Sequence, residues 1–172
     1  MSGRGEQTVR LTQLALLTTV ALVIFVIEAN IPPLTSVPGV KMGLANIVTL
    51  SVFYLYDRRS AFLVLIARVV MGAFASGRIM TLPYSLCGGL LCFAACALLF
   101  PLFPLKRLWL LSMIGAVFHN IGQIIVAIAI TGTKEILWYL PVLMISGILS
   151  GFFTGHAAQY LLEHMKKIKR NG

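Results

Sequence analysis

The amino-acid sequence predicts an all-α, polytopic integral membrane protein that crosses the bilayer with six transmembrane helices. Composition comes first: 59% of the 172 residues are hydrophobic and 11% are charged. Soluble domains carry about 25% charged residues, so lipid rather than water must cover most of this surface. The second observation is a mean hydropathy of +0.93. The third is arrangement: apolar runs alternate with short clusters of charge, Pro and Gly. A spanning helix needs roughly 20 apolar residues, and the length leaves room for six spans, short turns and no soluble domain.

The spans follow in order. The first covers residues 11–31 and stops at Pro32-Pro33, which cannot continue a helix. It has no small-residue cleavage site and is expected to be retained rather than removed as a signal peptide. An irregular stretch from Leu34 to Met42 precedes a short second span at 43–56, ended by Asp57-Arg58-Arg59. The third covers 60–76 and ends at Gly77-Arg78. The fourth, 84–103, is closed by Pro104 and Lys106-Arg107. The fifth, 108–131, meets the turn Gly132-Thr133-Lys134-Glu135, and the sixth, 136–162, runs into the basic cluster from Lys166 to Arg170.

Basic residues set orientation in such proteins. Ten fall on one side: Arg4, Arg10, Arg58, Arg59, Lys106, Arg107 and the four at the C-terminus. Three fall on the other: Lys41, Arg78 and Lys134. The expectation is a multi-pass protein of the cell membrane with both termini in the cytoplasm. The formal charge of +9 therefore reads as topology, not as nucleic-acid binding. Cys87, Cys92 and Cys96 share one apolar run without zinc or redox spacing and read as packed, reduced thiols. No His, Asp or Glu pair has metal-ligand spacing, and no cofactor is expected. In the sixth span Gly147, Gly151 and Gly155 recur every fourth residue, a face that lets helix backbones approach closely in lipid. It serves packing within the bundle or docking of a partner subunit.

Polar residues inside a membrane are costly and need a reason. The outer half of the predicted bundle collects Glu28, Asn30, Lys41, Asn46, Arg78 and Gln123, with Arg68, His119 and Asn120 beneath them. His119 and Gln123 are four apart and share a helix face. Apolar walls with a few convergent polar groups make an outward-facing binding site for a small molecule. The cations outnumber the single acid, which implies an anionic group on the ligand. The structural alternatives are an Arg68–Glu28 pair, interhelical hydrogen bonding by His119 and Asn120, and solvated loop ends at Lys41 and Arg78.

The stretch Pro38-Gly39-Val40-Lys41-Met42-Gly43-Leu44-Ala45-Asn46-Ile47, with Glu28-Ala29-Asn30-Ile31-Pro32 before it and His119-Asn120-Ile121-Gly122-Gln123 after it, resembles the Gx transporter family. That family is also labelled heptaprenyl diphosphate synthase component I. The resemblance covers about Leu11 to Leu162. It implies a protein similar to the S-components of energy-coupling factor (ECF) transporters: six-helix bundles that capture small molecules and work with a membrane coupling subunit and cytoplasmic ATPases. Many S-components dock through an Ala-x-x-x-Ala face on the first helix; the nearest candidate here is Ala15-x-x-x-Thr19.

Catalysis is not expected. Asp57 is the one aspartate of the chain. Metal-assisted prenyl transfer needs clustered carboxylates to hold magnesium, and no P-loop is present. The leading expectation is thus a substrate-binding membrane subunit of a transporter. The second is a non-catalytic membrane component of a prenyl diphosphate synthase serving quinone side-chain synthesis. The third is a membrane anchor of a flavin or redox assembly.

Overall fold

A computed structural model describes residues 2–30 and 44–171, with side chains from 5–30 and 44–167. The described residues are all-helical and contain no strand. Their α-helices are α1 (Ser2–Asn30), α2 (Asn46–Leu55), α3 (Arg58–Ala75), α4 (Leu82–Leu99), α5 (Leu108–Thr131) and α6 (Leu140–Asn171). Four segments are long and apolar enough to cross a membrane: Gly5–Asn30, Ile79–Leu102, Leu105–Thr131 and Lys134–Lys167. The expectation of an all-helical membrane protein is met, with four such segments among the described residues rather than six. At 1.5 Å per residue, the 10 residues of α2 reach roughly half the hydrocarbon thickness. The 18 residues of α3 are almost long enough, but they include Arg58, Arg59 and Arg68.

Local chemistry explains the boundaries. Asp57 caps α3, its carboxylate accepting from the Ser60 N–H at 2.7 Å. Beyond α3 the chain turns at Gly77, whose φ of +65° suits a residue without a Cβ. The Arg78 N–H closes that turn on Ala73 O at 3.1 Å. Gly132, at φ +68°, ends α5 in the same way and donates to Ile128 O. Pro83 sits in the first turn of α4, where its missing N–H costs nothing. The apolar run of α4 extends to Phe103, yet the α-helix stops at Leu99. Pro101 and Pro104 then impose the 3₁₀ turns Phe100–Leu102 and Leu105–Arg107.

Helix α5 packs most extensively, against α4 on one side and α6 on the other. Both contacts are made through glycine. A Cβ on Gly122 would lie 2.8 Å from the Gly88 Cα, so α4 and α5 touch backbone to backbone. The stripe on α6 meets α5: a Cβ on Gly147 would strike the Asn120 amide, one on Gly151 the Met113 Cα at 2.7 Å, and one on Gly155 the Trp109 Cα at 2.5 Å. The stripe is thus occupied inside the bundle. The other helices meet through side chains. Phe53 of α2 packs at a tilt against Phe93 of α4, 5.0 Å between ring centroids, and Phe93 meets Phe62 of α3 edge-on. The Tyr54 hydroxyl donates to Phe103 O at 2.7 Å. Outside, large apolar side chains such as Leu16, Phe74, Leu98 and Phe153 are exposed, the surface that lipid covers.

Candidate binding site

Helix register places the polar residues by depth. Short links return the chain between α3, α4 and α5, so these helices run antiparallel. Between α4 and α5, Gly88 lies against His119 and Gly122, while the Cys92 and Cys96 sulfurs lie against Gly115. Ser85, one turn before Gly88 and Gly89 on α4, therefore faces the level of Gln123. Between α3 and α4, Leu65 packs on Gly89. Three residues after Leu65 on α3 and three before Gly89 on α4, Arg68 stands level with Ser85 and Leu86. Arg68, Ser85 and Gln123 thus form one belt across three helices.

Helix α2 completes the belt. Asn46 and Arg68 stand equally far from Asp57 along α2 and α3, and the Arg68 guanidinium donates through Nη2 to Asn46 Oδ1. Arg68 is 2% exposed. Its positive charge also faces the carboxyl group of Glu28 of α1. Glu28 itself is buried near the C-terminal end of α1, and one turn earlier Phe25 fills the space opposite Gly72. On α5, His119 Nε2 and Gln123 Nε2 stand 3.1 Å apart in a hydrogen bond, and both side chains are buried. Asn120 points the other way and donates to Leu143 O of α6.

Several of these buried polar atoms have no hydrogen-bond partner among the described residues: Arg68 Nε, Ser85 Oγ, Thr49 Oγ1 and Asn120 Oδ1. Ser85 is 3% exposed and Thr49 6%. Leaving a polar group unpaired away from water costs about 1–3 kcal/mol; three of these atoms come from α2, α3 and α4, and the fourth, on Asn120, faces α6. Ser85 and Thr49 do not stand out in the sequence.

The remaining predicted site residues lie elsewhere. Asn30 is exposed and donates to its own helix at Val26 O, 2.8 Å away. Arg78 is exposed at the start of the 3₁₀ turn Ile79–Thr81. Lys41 lies outside the described residues. Among the described residues no group of three His, Cys, Asp or Glu side chains converges on a metal position. On α1, Ala15 and Thr19 are both exposed, and the Thr19 hydroxyl donates to Ala15 O at 2.9 Å.

An apolar helical bundle with a polar belt in its interior defines an all-helical protein of membrane character. Its residues 17–161 match the family model described as heptaprenyl diphosphate synthase component I, and the chain belongs to that family. No curated protein and no solved structure matches it.

Proposed function

We propose that this protein is the substrate-binding membrane subunit of a small-molecule transporter, similar in plan to the S-components of energy-coupling factor transporters. It is not an enzyme in this reading. It works with a membrane coupling subunit and cytoplasmic ATPases, and it lies in the cell membrane with six crossings and both termini in the cytoplasm. One observation carries the reading: buried, unpartnered polar atoms come from α2, α3 and α4 of an otherwise apolar bundle. A packed anchor has no use for such a set, whereas a ligand site needs it. The absence of a carboxylate cluster among the described residues gives no support to metal-assisted prenyl transfer.

The family's description favours a second reading, a non-catalytic membrane component of heptaprenyl diphosphate synthase. Affinity purification of the tagged protein from its native membrane in mild detergent separates the two. Capture of ATPases with a membrane coupling protein supports transport. Stoichiometric capture of a soluble prenyltransferase overturns it, and capture of flavoproteins favours a redox anchor. Orientation has its own test. In a background lacking Cys87, Cys92 and Cys96, a cysteine placed at Thr133 should react with a membrane-impermeant reagent on intact cells. One at Asn171 should not. The reverse pattern would place both termini outside.

A further inference from the structure

We infer that the outer face shared by the start of α5 and the C-terminal half of α6 binds an anionic phospholipid. Its phosphate is held by Lys106, Arg107 and His156, and its acyl chains lie along Phe152 and Phe153. The surface lies outside the bundle and is independent of the polar belt.

Depth comes first. Exposed aromatic side chains stand at both ends of α6, Trp138 and Tyr139 before its start and Tyr160 toward its end. The helix between Tyr139 and Tyr160 rises roughly 30 Å, which is the thickness of the hydrocarbon core. Aromatic residues favour the two membrane boundaries, so Tyr160 marks one of them. His156 lies one turn inside it. Along α6, Phe153, His156, Tyr160, His164 and Lys167 share one face by helical spacing, and all are exposed. The face thus passes from apolar to aromatic to basic as it leaves the membrane.

An imidazole on a lipid-facing surface is costly and needs a polar partner. His156 is also held in place. Its ring stacks on Trp109 of α5 at 5.5 Å between centroids and lies 4.3 Å from the Phe152 ring. Its Nδ1 is 2.9 Å from Phe152 O. A carbonyl only accepts, so Nδ1 carries the hydrogen, and Nε2 is the ring atom left for a headgroup.

The cations are close by. Gly155 packs on the Trp109 Cα, and the turn Leu105–Arg107 packs on α6. Arg107 is two residues from Trp109, about 7 Å of backbone at most, and long basic side chains carry their charge to the headgroup level. Lys106, Arg107, Lys166 and Lys167 are exposed. Glu163, the one acid of α6, accepts from Gln159 Nε2 at 3.0 Å. A surplus of positive charge favours a lipid with net negative charge over a zwitterionic one, whose own cation would face these groups.

Native mass spectrometry of the purified protein in mild detergent tests this, with equal amounts of dioleoylphosphatidylglycerol and dioleoylphosphatidylcholine supplied. Phosphatidylglycerol should be retained in preference. Lys106→Gln with Arg107→Gln should lower that retention by about tenfold, and His156→Leu should lower it by less. Arg58→Gln with Arg59→Gln removes the same charge from another exposed turn, beside Asp57, and should leave retention unchanged. All these side chains are exposed, so each variant should melt like the parent in phosphatidylcholine nanodiscs. Four results overturn the inference: equal retention of the two lipids, retention that the Lys106 and Arg107 substitutions leave intact, an equal loss from the two double variants, or a dimer of the chain in place of lipid adducts.

Discussion

Helices α4, α5 and α6 meet backbone against backbone, whereas α1, α2 and α3 are joined by side chains that reach across. In the first region Gly88, Gly122, Gly147, Gly151 and Gly155 leave no space for even a methyl group without a shift. In the second, Arg68 reaches Asn46, Tyr56 donates to Gln13 at 2.7 Å, and Arg10 pairs with Asp57 and donates to Ser60 at 2.9 Å. The contrast follows from the solvent. Lipid offers apolar helices little reason to associate, so close backbone contact must supply the attraction. Such contact also makes a region rigid. Side-chain links hold helices at a distance, leave space between them, and permit adjustment. The belt lies along the seam between the two regions, with Arg68 on the adjustable side and Gln123 on the rigid side.

The sharpest way to break this comparison is to overfill the rigid side. Gly122→Leu places a side chain where the α4 backbone already stands, so it should cost about 3 kcal/mol, the upper end for overpacking. A large fall in melting temperature in nanodiscs, with Gly151→Leu close behind, is the expected result. Parent-like melting of both would show that α4, α5 and α6 are not held by backbone contact.

A smaller effect is expected on the adjustable side. Asn46→Ala removes the hydrogen-bond partner of Arg68, and stranding a donor on a buried cation costs about 1–3 kcal/mol. Its melting temperature in nanodiscs should fall by less than that of Gly122→Leu. Parent-like melting would show that the Arg68–Asn46 bond does not hold α2 against α3.

The smallest effect concerns the cytoplasm-facing turn in the proposed orientation. The Ser60 N–H, followed by Arg10, holds the Asp57 carboxyl below its ordinary value. A carboxylate lowered in the folded state stabilises the protein above its unfolded pKa, and that contribution is lost as pH falls through the folded value. Melting curves from neutral pH down to about 3 should therefore show a slightly steeper acid loss in the parent than in Asp57→Asn. Identical pH profiles would mean that the Arg10–Asp57 link contributes nothing to holding α1.

Much of the bundle was legible in the sequence because lipid imposes a simple rule. Long apolar runs between charges must be helices, since backbone polar groups have no other partner there. The run at 108–131 and α5 coincide for this reason. Helix ends outside the apolar runs were not legible in the same way. Helix α1 begins at Ser2 and α6 continues to Asn171, because polar helix formers extend a helix into water without any apolar signal. The polar site was legible where residue type alone carries cost: Arg68, His119, Asn120 and Gln123 stand out in any membrane span. Ser85 and Thr49 do not, since a helical hydroxyl commonly bonds to its own backbone. Thr18 does so with Leu14 O and Ser51 with Ile47 O. Nothing in the amino-acid code distinguishes those two from Ser85.

What the sequence by itself determined was the class of solvent, the helical architecture and which rare polar residues had to be accounted for, because each follows from the cost of placing a group in hydrocarbon. What only the tertiary structure decided was partnership. It turned the glycines of α6 toward α5, left Asn30 and Arg78 at the surface, and joined Arg68 to Asn46. It also set Ser85 at the depth of Arg68. Those outcomes depend on helix rotation and register, and both are fixed by the packing of one helix against another rather than by any helix alone.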